Sequence, residues 1–349
     1  MMRARLLLGV VFGAALAACG GDGGLSASPS PTGTDVTSPA SASPTPAPSA
    51  GTWRTLAPMP TPRTEVAVAA LDGLIYVVGG FEADGSVSAK VEVYDPISDT
   101  WDGVAPLPAP RHHAAAVAFI GRVFVIGGFA TSFSDPRADV WSYDSASKRW
   151  SNGPHLTVAR GAHAAAADPG NVVVFGGVGS GMISVASIEI MDWLTQVLNV
   201  SPHLFPLPRD HLAIAAQEWS AGGDVFEILM YVIGGRLRLD YGLNVDRIES
   251  FHEDGALNVR HSPMPTARSG IAAAALGGRI YVFGGESPAG TFDENERYDP
   301  ETDSWETMAP MPTARHGLGA AVVGGTVYVI GGGPEPGLSV SGANEAYTP

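Results

Sequence analysis

From Thr52 onward the apolar positions fall into short runs separated by glycine turns, and the same succession returns six times along the chain. The second copy shows the pattern. After Arg111, a small and β-branched run from His112 to Ile120 meets a Gly121-Arg122 turn, and Val123-Phe124-Val125-Ile126 then ends at Gly127-Gly128. This predicts a β-hairpin of continuous apolar strands with both faces covered. A variable loop follows, then Asp139-Val140-Trp141-Ser142-Tyr143-Asp144, a turn, and a short strand opening at Trp150. Each copy therefore predicts four antiparallel strands.

Spacing fixes the architecture. The arginines that open the copies are Arg63, Arg111, Arg160, Arg209, Arg268 and Arg315; glycine doublets begin at Gly79, Gly127, Gly176, Gly234, Gly284 and Gly331. The arginine-to-doublet interval is 16 residues in five copies and 25 in the fourth. Doublets recurring every 47 to 58 residues indicate an array or a closed ring, and four-stranded units indicate propeller blades. Trp53, Trp101, Trp150 and Trp305 each precede an arginine by ten residues, and Tyr94, Tyr143 and Tyr298 each precede one of those tryptophans by seven. The same offsets give Asn258 and Phe251 in the fifth register and Asn199, near Met191, in the fourth. Two outer strands have thus lost their aromatic filler.

Glycine doublet, Tyr-Asp, Trp and a Pro-Met-Pro-x-x-Arg segment (Pro58 to Arg63, Pro310 to Arg315) resemble the kelch motif, over about residues 52–349. The resemblance implies an all-β, six-bladed propeller. An outer-strand segment at Trp53-Arg54-Thr55-Leu56 precedes the first arginine, and no fourth strand follows Tyr347. The N-terminal strand is therefore expected to complete the last blade and remove two open edges. The longer fourth copy places about nine extra residues within Gln217–Phe226, on the face opposite the arginines, with Trp219 as a candidate contact.

The first 51 residues have a different character. Arg3 and Arg5 precede an apolar stretch from Leu6 to Leu16, too short to span a bilayer permanently, and then Leu16-Ala17-Ala18-Cys19. That tetrad resembles the lipobox of bacterial lipoproteins. It implies a signal peptide over 1–18, lipidation of Cys19, and an exported protein anchored to the outer face of the cell membrane or held in the periplasm. Residues 20–51 are mostly Ser, Pro, Thr, Ala and Gly, which predicts a disordered tether reaching on the order of 100 Å when extended. The domain boundaries read as 1–18, 19–51 and 52–349, the last a head expected to be monomeric.

Charge narrows the partners. The chain carries 35 acidic and 20 basic residues, a net of −15, with Lys90 and Lys148 its only lysines. Without a basic run, nucleic acid and anionic headgroups are poor partners, so a membrane is met only through the lipid. Cys19 is the only cysteine. The mature head can therefore form no disulfide, and it lacks the cysteine required by copper-radical oxidases with kelch-like propellers.

Candidate chemistry lies beside the arginines, where loops converge on the central channel. The two positions after each arginine are Thr64-Glu65, His112-His113, Gly161-Ala162, Asp210-His211, Ser269-Gly270 and His316-Gly317; after the doublets come Phe81-Glu82, Phe129, Val178, Arg236, Glu286-Ser287 and Gly333. Glu65, His113, Asp210, His211, Arg236, Glu286 and His316 are the candidate binding residues at one mouth. The six arginines read as scaffold. Histidines 112, 113, 163, 211 and 316 cluster after arginines, but no short-range spacing such as His-x-x-x-His supports a metal, and neither metal nor cofactor is expected. No nucleophile elbow or phosphate loop occurs.

Two functions fit. One is a binding module for a protein, peptide or carbohydrate. The other is implied by similarity to the sialic-acid mutarotases, six-bladed kelch proteins of the bacterial envelope. Cofactor-free ring opening would use an acid and a base drawn from Glu65, Glu286, His113 or His211, with Arg236.

Overall fold

The computed structural model describes residues 50–192, 195, 197–220 and 226–349, so the signal segment, Cys19 and nearly all of the tether lie outside the described residues. Six four-stranded antiparallel sheets form the blades. The first comprises Ala67–Leu71, Leu74–Val78, Val91–Asp95 and Thr100–Gly103. The sixth is Gly319–Val323, Thr326–Ile330 and Asn344–Thr348, completed by Thr52–Thr55. Thr52 pairs with Thr348 and Trp53 with Tyr347, so the expected closure by the N-terminal strand is present. Neighbouring blades share buried aliphatic and aromatic clusters.

The arginine and doublet cassettes tie the ring together at main-chain level. The second glycine of each doublet donates its N–H to the carbonyl of the next blade's arginine: Gly80 to Arg111, Gly128 to Arg160, Gly177 to Arg209, Gly235 to Arg268, Gly285 to Arg315 and Gly332 to Arg63, all at 2.8–3.1 Å. A Cβ on Gly79 would lie 2.3 Å from the Arg111 carbonyl oxygen, and one on Gly284 would lie 2.4 Å from that of Arg315. The backbones approach too closely for any other residue, and both glycines have positive φ.

Arginine side chains turn back into their own blades. Arg63 donates to the Gly79 carbonyl at 2.6 Å, Arg209 to Gly234 at 2.6 Å, Arg268 to Gly284 at 2.8 Å and Arg315 to Gly331 at 2.9 Å. Each then meets a buried glutamate on the third strand: Arg63 with Glu92 at 2.7 Å, Arg209 with Glu249 at 2.9 Å, Arg315 with Glu345 at 2.6 Å, together with Arg160–Glu189 and Arg268–Glu296. Removing one partner of such a pair strands a buried charge. Arg111 departs from the rule, stacking 4.4 Å over Trp141 and pairing with Asp139. The arginines are scaffold, as their repetition suggests.

Outside the channel, the four register tryptophans donate indole N–H bonds of 2.8 Å to carbonyls of the segment before them around the ring: Trp53 to Ala309, Trp101 to Ala57, Trp150 to Ala105 and Trp305 to Ser262. In the two degenerate blades the residues opposite Met191 and Phe251 are Leu198 and Leu257. Both lie one position before the asparagines picked out by sequence offset. The long cassette appears as a hairpin of two eight-residue strands, Ala213–Ser220 and Phe226–Ile233, where other blades have four or five. The Trp219 side chain and residues 221–225 lie outside the described residues.

Because Thr52–Thr55 joins the two ends of the ring by pairing with Asn344–Thr348, removal of residues 1–56 is expected to destabilise the whole propeller. Loss of Trp53 alone should cost roughly 3 kcal/mol or more. A urea unfolding midpoint that stays in place after this truncation would contradict the closure.

Candidate functional site

The arginine-side mouth is built on the second residue after each arginine: Glu65, His113, Ala162, His211, Gly270 and Gly317. All six sit in the left-handed region, with φ between 52° and 64°, at a cost of roughly 1–2 kcal/mol for each non-glycine. Their main chains close a circle. Glu65 N–H donates to Gly317, His113 to Glu65, Ala162 to His113, His211 to Ala162, Gly270 to His211 and Gly317 to Gly270, all at 2.8–3.1 Å. The preceding residue in each blade bridges the residue after the doublet: Thr64 with Phe81, His112 with Phe129, Gly161 with Val178, Asp210 with Arg236, Ser269 with Glu286 and His316 with Gly333. This bridging brings the two sets of loop residues to one place.

All seven candidate residues join one network. His113 Nε2 lies 3.0 Å from Glu65 Oε2, and His316 Nδ1 lies 3.4 Å from Glu65 Oε1 and 3.7 Å from Glu286 Oε2. Arg236 donates to Glu286 at 2.6 Å and to Asp210 at 3.3 Å, and its other terminal nitrogen is 2.7 Å from His211 Nε2. His211 Nδ1 is 2.7 Å from Asp210 Oδ1, which fixes the Nε2 of His211 as an acceptor for Arg236. Only Glu65 is measurably open, its side chain 13% exposed. Gly317 makes room for it, since a Cβ there would lie 2.6 Å from Glu65 Oε1.

Above this floor opens a cavity of about 320 Å³. Its wall combines Phe81, Phe133, Leu239, Tyr241 and Leu338 with Thr64, Glu65, His113, Arg236, Glu286 and His316. Tyr241 is 38% and Leu338 61% exposed. Phe133, Leu239, Tyr241 and Leu338 come from the variable loops after the doublets and escape a reading based on repeat register. Their signal is weaker: large apolar residues within loops that are otherwise polar. Below the mouth, the channel is lined largely by alanines, including Ala67, Ala115, Ala164, Ala213, Ala272 and Ala320.

Burial and charge set the protonation states. Burial alone would raise the Glu65 pKa, but His113 and His316 against its two oxygens outweigh that and hold the carboxyl well below its ordinary value. Burial lowers His316, yet the Glu65 bond and the Glu65 and Glu286 charges more than reverse this and raise it. Burial depresses His113 well below the ordinary range despite Glu65, and takes His112 down to about 4. His163 falls to about 3 through burial and then the Arg160 charge; both of its ring nitrogens are buried without partners. It lies beside Gly127 and Gly177 and lines the channel below the mouth.

Glu65, His113 and His211 place donor atoms within 4.8 Å of one another. The lone pair of His211 Nε2 is occupied by Arg236, which sets a positive charge where a metal ion would need its third ligand.

Two family profiles match the chain: the KLHDC2/KLHL20/DRC7 Kelch-repeats domain over residues 48–177 and the Kelch motif over residues 267–312. A six-bladed kelch-repeat propeller is therefore what this chain forms. The Kelch-like protein terF of Aspergillus terreus (strain NIH 2624 / FGSC A1156) is 29% identical over 266 residues, 73% of this chain and 46% of the relative. The chain thus spans about half the length of that curated relative. Among solved structures, that of YjhT is similar with a TM-score of 0.67 at 16% identity, covering 82% of this chain and 96% of the other, a likeness of fold.

The depressed histidines make acid destabilising. The unfolded chain protonates His163 near 6.5 and the folded one only near 3, so its contribution is complete above the unfolded value and is lost as pH falls toward 3. His316 acts in the opposite sense: its contribution is present below the unfolded value and lost as pH rises through its raised folded value. Four depressed imidazoles (His112, His113, His163 and His261) against one raised one set the net direction. His163→Leu should flatten the fall in melting temperature between pH 7 and 4, by an amount on the order of a few kcal/mol in stability. An unchanged pH profile would show that His163 is not neutral in the fold.

Proposed function

We propose that this protein is an exported, lipid-anchored binding module that engages a protein, peptide or carbohydrate through the arginine face of its propeller. Kelch propellers are rigid platforms for binding proteins or ligands. The observation carrying the reading is the cavity over the mouth: an accessible apolar rim of Tyr241 and Leu338 above polar groups already bonded to one another. Such a floor supplies orientation and specificity while the rim supplies contact area.

The same pairing weighs against the mutarotase reading. Glu65, Glu286 and Arg236 do converge, but Arg236 is held by Glu286, Asp210 and His211 and has little left for a substrate carboxylate. The low pKa of Glu65 makes it a poor proton donor near neutral pH. The anchor is supported by the order of basic start, apolar stretch and Leu16-Ala17-Ala18-Cys19.

Two measurements test the proposal. On glycan and peptide arrays, hits of the purified protein should weaken at least about tenfold with Tyr241→Ala or Leu338→Ser. They should persist with Ile97→Ser, at a fully exposed turn on the opposite face. Hits insensitive to the rim, or acceleration of sugar anomerisation by NMR, would overturn the binding reading. In cells fed an alkyne fatty acid, the wild-type chain should take the label and Cys19→Ser should not; labelling of both would remove the anchor at that cysteine.

A further inference from the structure

We propose that the arginine-face cavity receives an organic cation, an ammonium or guanidinium carried on an apolar stem, with the cationic end directed to Glu65. This deepens the binding reading above and rests on it.

Three carboxylates, Glu65, Glu286 and the fully buried Asp210, share one network with two basic groups, the Arg236 guanidinium and the His316 imidazole, which the Glu65 and Glu286 charges hold toward its charged form. That guanidinium is committed to two of the carboxylates, at 2.6 and 3.3 Å, and its remaining nitrogen to His211. An anionic ligand would enter beside carboxylates, where both basic groups, Arg236 and His316, already face acids of the network. Glu65 is the acid left without a guanidinium. One of its oxygens meets His113, which burial keeps neutral; the other meets His316 only at 3.4 Å. Three carboxylates against two basic groups leave one negative charge, and Glu65 is its open part, in a chain whose net charge is −15.

A further feature points to a ligand donor there. Thr64 lines the cavity and is fully buried, and its hydroxyl oxygen has no hydrogen-bond partner. It flanks Gly317 together with the Glu65 carboxylate, since a Cβ there would approach Thr64 Oγ1 and Glu65 Oε1 equally, at 2.6 Å. A ligand bearing several N–H donors would satisfy the Thr64 and Glu65 oxygens together.

The rim suits the rest of such a molecule. Phe81, Phe133 and Tyr241 contribute three aromatic rings to a wall otherwise made by Leu239 and Leu338. Aromatic faces attract cations, and Tyr241 already receives one, the Arg236 guanidinium at 5.8 Å. Aliphatic stems of lysine and arginine side chains pack on surfaces of this kind while their heads reach polar partners. The ligand class is an amine or a basic side chain of a partner protein.

Three probes of the same body and different charge decide the matter: benzylamine, benzyl alcohol and phenylacetate, titrated into the full-length protein and followed by ligand-observed NMR. Benzylamine should bind at least about tenfold more tightly than phenylacetate, weaken with added salt, and lose about tenfold in affinity in Glu65→Gln. Tyr241→Leu provides a second variant at the exposed rim, which makes none of the network's hydrogen bonds, and should also weaken benzylamine. Equal binding of the three probes, preference for phenylacetate, or no binding by any of them would overturn the cation assignment. The first two results would leave the binding reading standing, and the arrays above judge that reading separately.

Discussion

The structure depends on a circle of six main-chain hydrogen bonds around the channel mouth, each blade's left-handed residue donating to its neighbour's carbonyl. This circle demands a backbone conformation that four non-glycine residues adopt at a cost, and it repays them by satisfying every one of those N–H groups at the place where six blades converge. Everything functional is built on it. Side chains that project from these positions, Glu65, His113 and His211, are delivered to a common centre. Where the position carries alanine or glycine, at 162, 270 and 317, the centre is left open. Occupied and vacant positions of one ring thus shape a cavity that is off-centre in a nearly symmetric scaffold.

Outside the circle, the cassettes divide the work between backbone and side chain. In every blade but the second, the arginine offers its carbonyl to the preceding blade and its guanidinium to its own doublet, so the blade is fastened on both sides through one residue. The five buried glutamates that complete these sites are charged residues in the interior. They are tolerated because each guanidinium also meets main-chain carbonyls.

Much of this was legible in the sequence because repetition averages over local noise. Arg63, Gly79 and Trp101 mean little singly; at fixed offsets in successive blades they define the propeller and its two faces. The convergence of Glu65, His113, His211, Arg236, Glu286 and His316 was legible for the same reason, since each stands one or two positions from a repeated landmark. The glutamate partners of the arginines were missed although Glu92 and Glu189 both fall 29 residues after theirs; loop lengths shift Glu249, Glu296 and Glu345 out of that register. Leu198 and Leu257 were displaced by one position because bulges interrupt those outer pairings. Phe133, Leu239, Tyr241 and Leu338 have no register at all. Their meeting is set by loop paths that only tertiary structure determines.

Closure of the sixth blade has a consequence for how the molecule comes into being. The strand Thr52–Thr55 pairs with Asn344–Thr348, a contact between segments almost three hundred residues apart. The first strand of the propeller to be synthesised is the last to find its partner, and until then Trp53 and an unpaired edge stand open to water. Such a topology has a high contact order and folds slowly. A repeat array would gain stability unit by unit; a cycle gains its last interface only when the final residues arrive, so maturation of this head is a single late event.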